Sequence, residues 1–218
     1  MVQAVVFDVG ETLVNESRQW RLWAEWLGVS DHVVFALLGA SIARTEDHLR
    51  ILELLRPGFD LELAREERRR LGNPDEFDGS DLYPDVAACL HALHKQGLRI
   101  GIAGNQPVCA EQALESFGLP VDFVASSERW NVKKPAPAFF QKVIHELHLA
   151  AGAIAYVGDR LDNDIVPARN AGMITVFIRR GPWGFLHARQ PEVAQAHLRI
   201  ENLGELPDAL DRLQTGSV

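Results

Sequence analysis

The chain opens on an apolar run, Val5-Val6-Phe7, that stops at Asp8 and turns through Val9-Gly10-Glu11-Thr12-Leu13. An unbroken apolar run predicts a strand buried on both faces of a parallel sheet, opening into a loop at its carboxyl end. Between residues 15 and 82 the pattern takes the period of helices. Trp20, Trp23 and Trp26 recur at three-residue steps within a predicted helix over 18–27, and that stripe reads as packing. Ser30-Asp31 predicts a helix start before the apolar run 33–38. A third helix is predicted over 42–55, ended by Pro57-Gly58. A fourth is predicted over 61–71, with Glu66-Glu67-Arg68-Arg69-Arg70 as a solvated face and Gly72-Asn73-Pro74 as its break.

From Tyr83-Pro84 onward the pattern alternates. Helices are predicted over 86–96, 108–117, 137–149, 163–171 and 204–213. Strands are predicted over 98–103, 121–124, 154–157 and 174–178, with a short edge strand at 199–200. Strands separated by helices predict right-handed βαβ units and a parallel sheet. There is no internal repeat, and the helical stretch reads as an insertion after the first strand.

Composition narrows this picture. At 218 residues the chain is long enough for one large domain or a core with a smaller second unit. Hydrophobic residues make up 47% and charged residues 24%, as in soluble globular proteins. No apolar run approaches the roughly 20 residues of a membrane span, and the start on a core-type strand predicts no leader. The net charge of −8 without a basic block argues against nucleic acid as a partner. Cys89 and Cys109, without CxxC spacing, read as free thiols in a cytoplasmic protein.

The chemistry sits at strand ends. Taken alone, Asp8 is equally a loop cap or a reactive carboxylate. The second core strand ends in Gly104-Asn105, a later loop carries Lys133-Lys134-Pro135, and the fourth strand ends Gly158-Asp159-Arg160-Leu161-Asp162-Asn163-Asp164. In a parallel sheet these ends share one edge, so Asp8, Asn105, Lys134, Asp159 and Asp164 converge. Clustered acids repel one another unless a cation joins them. Several oxygen ligands suit Mg2+, and a lysine holds an anionic group.

These motifs resemble the haloacid dehalogenase superfamily of hydrolases. Phe7-Asp8-Val9-Gly10-Glu11-Thr12-Leu13 is similar to its first motif, Lys134-Pro135-Ala136-Pro137 to its third, and Gly158-Asp159 with Asp164 to its fourth; Tyr83-Pro84-Asp85 resembles the return from cap to core. The resemblance implies an α/β fold: a Rossmann-like, three-layer core over 1–14 and 83–218, with a helical cap of the C1 type over 15–82 that closes over the site. It implies Asp8 as nucleophile, and Mg2+ held by Asp8, the backbone carbonyl of Gly10, Asp159 and Asp164. Lys134 would stabilise the nucleophile and the developing charge. Gly104 and Asn105 would bind phosphate through backbone N–H groups. Asp162 and Asn163 would cap the following helix. The implied substrate is a small phosphorylated metabolite, and the chain a monomer or homodimer.

Two positions depart from the family pattern. Phosphatases of the family carry a second Asp two residues after the nucleophile, where this chain has Gly10, and a Ser or Thr where it has Gly104. Losing general acid–base help costs about 10²–10⁴ in rate. Three readings stay open. The substrate can have a good leaving group, as in dehalogenase-like or phosphonatase-like chemistry. A substitute acid can come from Glu11, Glu16, Asp31, His32 or His187, although the Glu11 side chain is expected to point away and the others to be solvated. Or the chain is a catalytically impaired binding or regulatory protein. The stretch 181–185 reads as a loop beside the site, with Trp183 and Phe185 as packing residues.

Overall fold

In the computed structural model, which describes residues 1–44, 47–72 and 76–216, six strands form one sheet. They are β1 (Ala4–Phe7), β2 (Arg99–Gly104), β3 (Phe123–Ser126), β4 (Ile154–Gly158), β5 (Ile174–Ile178) and β6 (Leu198–Ile200). The order is β3-β2-β1-β4-β5-β6 and every pairing is parallel. The opening strand thus lies at the centre. Phe7 pairs with Ile102 on one side and Val157 on the other, and all four residues of β1 are buried. This explains why its apolar run is unbroken.

The chain divides into two units, one formed by Met1–Asn15 and Leu82–Val218, the other by Glu16–Asp81. The second is built from α1 (Ser17–Leu27), α2 (Asp31–Ala43), α3 (Arg50–Leu55) and α4 (Leu61–Arg70). Trp23 and Trp26 pack edge to face against each other and against Phe59. Two expectations fail here. The helix expected over 42–55 is split: Ile42 belongs to α2, and Asp47 accepts from Leu49 N at 3.0 Å just ahead of α3. A side chain that bonds its own backbone two residues on favours a turn over helix. Nor is the charged run wholly solvated. Arg68 is fully buried, its guanidinium 4.1 Å from the Trp23 ring centroid. Asn73-Pro74, expected to break α4, lies outside the described residues.

The sheet unit carries α5 (Val86–Lys95), α6 (Val108–Ser116), α7 (Ser127–Trp130), α8 (Pro137–Leu147), α9 (Val166–Asn170), α10 (Gly181–His187) and α11 (Leu206–Thr215). One core cluster joins Val6, Ala103 and Tyr156 of the sheet to Phe139, Phe140 and Val143 of α8 and Ala168 of α9; α5 packs on β2 and α11 on α5. The helix expected over 137–149 stops at Leu147 because His148 takes a left-handed φ of 50°. The helix expected over 163–171 begins with a π-helical turn, Leu161–Ile165. The stretch 181–185 is not a loop but most of α10. At the mouth of the inserted unit, Val14 pairs antiparallel with Leu82, and Tyr83 N donates to Leu13 O at 2.9 Å.

Candidate active site

The carboxyl ends of β1, β2 and β4 deliver Asp8, Gly104-Asn105 and Asp159 to one edge of the sheet. Asp164 comes from the π-helical turn after β4, and Lys134 from the loop before α8. Lys134 Nζ donates to Asp8 Oδ1 and to Asp164 Oδ1, both at 2.6 Å. One carboxylate oxygen from each of Asp8, Asp159 and Asp164 lies within 4.8 Å of the others, and all three residues are buried. The structure thus brings together every side chain that the sequence placed at this edge.

The surroundings are built to hold these groups. Asn105 Nδ2 donates to Lys134 O at 3.0 Å and Lys134 N donates to Asn105 Oδ1 at 2.7 Å, so the amide clasps the lysine backbone. Arg160 N donates to Asp164 Oδ2 at 3.0 Å. A Cβ on Gly158 would lie 2.5 Å from the Asp164 carboxyl, so only glycine admits it there. Tyr156 donates its hydroxyl to Ala103 O at 2.8 Å and sets its ring 5.5 Å from Lys134 Nζ. Tyr156 carries no motif and in the sequence is one aromatic in a strand; Asn105 is expected at this edge, and what the sequence does not announce is the grip of its side chain on Lys134.

Charge in the cluster is unbalanced. Burial, then Asp164, Asp8 and Glu11, push the Asp159 carboxyl well above its usual range. Burial pushes Asp164 up to about 6 even though Lys134 pulls it down. Burial works against the Lys134 ammonium, but Asp164 and Asp8 outweigh it and hold the group charged. Asp159 Oδ2 is buried without a hydrogen-bond partner among the described residues. Three converging carboxylates, one with an orphaned oxygen, are a donor set that fits a hard divalent cation.

Several neighbours depart from expectation. Asp162 does not cap a helix; with Asn163 it lies inside the π-helical turn, and it pairs with Arg160 at 2.7 Å. Arg160 stacks on Trp183 at 3.7 Å, which accounts for that ring as packing. Phe185 is instead 56% exposed. His187 is buried rather than solvated and accepts from Leu161 N at 2.9 Å. Asp31 is exposed, as expected, 3.5 Å from Arg21. Glu11 turns its carboxylate to the Tyr83 hydroxyl at 2.5 Å.

A parallel sheet of this order with acids at its carboxyl edge defines a Rossmann-like α/β core, and comparison with known proteins supplies the family. Residues 2–172 match the family model of the haloacid dehalogenase-like hydrolases, and the chain belongs to that family. It is 29% identical over 223 residues to a glyceraldehyde 3-phosphate phosphatase of Methanopyrus kandleri, covering 88% of this chain and 90% of that protein. It is 30% identical over 147 residues to a phosphoglycolate phosphatase of Rhodospirillum rubrum, covering 66% of this chain and 58% of that protein. In fold it resembles a magnesium-bound haloacid dehalogenase-type protein of Bacillus subtilis, with a TM-score of 0.71, 19% identity and coverage of 96% and 99%. The chain is therefore an enzyme of the hydrolase class. No single helix among the described residues is long and apolar enough to cross a membrane.

Proposed function

We propose that this chain is a Mg2+-dependent phosphatase of small phosphorylated metabolites, with Asp8 as the nucleophile. The observation that carries the reading is the Lys134 ammonium set between Asp8 and Asp164 at 2.6 Å within a buried acid cluster. Packed acids of this kind have little structural use, because each destabilises the others. The relatives named as phosphatases of small phosphorylated acids and aldehydes support the substrate class.

Asp8, Asp159, Asp164 and the Gly10 carbonyl would hold Mg2+, which neutralises charge on the transferring phosphoryl group. An Asp8 oxygen attacks phosphorus, the bond to the leaving oxygen breaks, and an aspartyl-phosphate forms. Water then cleaves that acyl phosphate, returning Asp8 and releasing phosphate. Lys134 orients Asp8 through the hydrogen bond to its Oδ1. The backbone N–H groups of Gly104 and Asn105 would bind the transferred oxygens. Gly10 offers no acid to the leaving group, so substrates whose leaving oxygen departs as a stable anion are favoured, acyl phosphates above alkyl esters. The Glu16–Asp81 unit, inserted after the nucleophile, serves as the cap that selects the substrate, and the protein works in the cytoplasm.

Phosphate release from a panel of phosphate monoesters and acyl phosphates, with Mg2+ present, tests the reading. Asp8→Asn is expected to abolish release from every active substrate; an Asp8→Asn protein at full rate would remove Asp8 from the nucleophile's place. The paired losses at Gly10 and Gly104 favour a second reading, a binding protein without turnover. Mg2+ and beryllium fluoride raising the melting temperature of a chain that releases no phosphate would select it.

A further inference from the structure

We infer that Glu11, Tyr83 and Arg180 act together as positioning residues that fix the Gly10–Glu11 peptide for the divalent cation, an inference that rests on the metal reading above. Glu11 has a φ of +53°, in the left-handed region where an L side chain is strained and glycine is relaxed. Such strain persists when the surroundings over-determine it, and here they do. Glu11 N donates to Val14 O at 2.7 Å, which fixes the plane of the peptide that carries the Gly10 carbonyl. The buried Glu11 side chain accepts from the Tyr83 hydroxyl at 2.5 Å.

Tyr83 is held in turn. The Arg180 guanidinium lies 4.1 Å from its ring centroid. The same guanidinium donates to Thr12 O at 3.0 Å, on the turn itself, and pairs with Asp85, which also accepts from Leu203 N at 2.9 Å. On its far side the Glu11 side chain lies against Gly181, where an added Cβ would come within 2.5 Å of Glu11 Cβ. Segments more than 70 and 160 residues away in the chain therefore converge on one strained peptide. A residue needed only to make the turn would be glycine. Glutamate at this φ, with a dedicated phenol and a dedicated gap, is explained by control over where the Gly10 carbonyl points.

The test is Mg2+ affinity of the full chain by titration calorimetry, beside the melting temperature without metal. Tyr83→Phe keeps the ring under Arg180 and removes one hydroxyl. Glu11→Gly removes the strain together with the carboxylate. Each is expected to weaken Mg2+ binding about tenfold or more, the usual loss on removing an outer partner of a metal ligand. Glu11→Gly is expected to do so while its melting temperature holds or rises. Glu11→Gln still offers Tyr83 an acceptor and keeps most of the affinity. Tyr83→Phe and Glu11→Gly proteins that bind Mg2+ as tightly as the parent overturn the inference. Affinity is read without turnover. A parent that binds Mg2+ and releases no phosphate overturns the proposed reaction alone, and a parent that binds no Mg2+ overturns both.

Discussion

A Cβ built on Gly104 would lie 2.9 Å from Asp8 Oδ1 and 3.0 Å from Val9 Cγ2. The family pattern has a hydroxyl-bearing residue at this position, so Gly104→Ser looks like a repair. The distances say otherwise. Asp8 Oδ1 is already fixed by Lys134, and a side chain at 104 must push the nucleophile away from it. A displacement of about 1 Å at a reacting group costs on the order of 10²-fold in rate. Gly104→Ser is therefore expected to lower turnover by about that factor in steady-state assays; a rate gain from a protein of unchanged melting temperature would show that Asp8 has room to move. Asp8, Lys134, Asp159 and Asp164 were legible in the sequence because each stands at a strand end or in a short motif of fixed spacing. Tyr83 and Arg180 were not, because their contacts reach across 72 and 168 positions with no periodicity to announce them.

At the scale of elements, α4 has a clear start signal. Asp60 accepts from Glu62 N and Leu63 N, both at 3.0 Å, which satisfies two donors that the first turn leaves open. Asp60→Ala is expected to cost about 1 kcal/mol in urea unfolding of the full chain, and a change within error would mean that solvent replaces the cap without loss. The strands were legible to within two residues because an apolar run between polar breaks has one reading in a parallel sheet. The breaks inside helical stretches were not. Asp47, just ahead of α3, accepts from Leu49 N, a local side-chain bond that apolar spacing does not announce. The π-helical turn at Leu161–Ile165 leaves no trace in apolar spacing, although it carries Asp164. Arg68 departs from the solvated face because charge alone does not tell a solvated guanidinium from one stacked on an indole.

At the scale of the whole molecule, acid sensitivity follows from two imidazoles. His187 accepts from Leu161 N at 2.9 Å and His197 from Thr175 N at 3.1 Å, each through Nδ1, so the folded chain holds both neutral. Burial lowers both below the usual 6.5, with Arg160 adding to the effect at His187 against Asp162, and Arg169 adding to it at His197. As pH falls, the unfolded chain takes up these protons first. The contribution is whole above about 6.5 and is lost as pH drops below it. Urea midpoints measured between about pH 7.5 and 5.5 are expected to fall more steeply for the parent than for the double variant His187→Asn, His197→Asn. Identical slopes would remove the imidazoles from the acid response, because Asp159 and Asp164, raised in the folded chain, take up protons first when folded and work in the opposite direction.

The pairing of Val14 with Leu82 has a consequence for how such a chain diversifies. The two ends of the insertion are stitched to each other inside the sheet unit, by that bridge and by the Tyr83–Leu13 hydrogen bond. Once its ends are held together, lengthening a loop adds only about 0.6 kcal/mol of closure cost for each doubling. The segment between them can then be lengthened, shortened or exchanged for another module while the register of β1 and the acids beyond it stay where they are. The scaffold works as a socket, and new specificities can be fitted to it without rebuilding the machinery underneath.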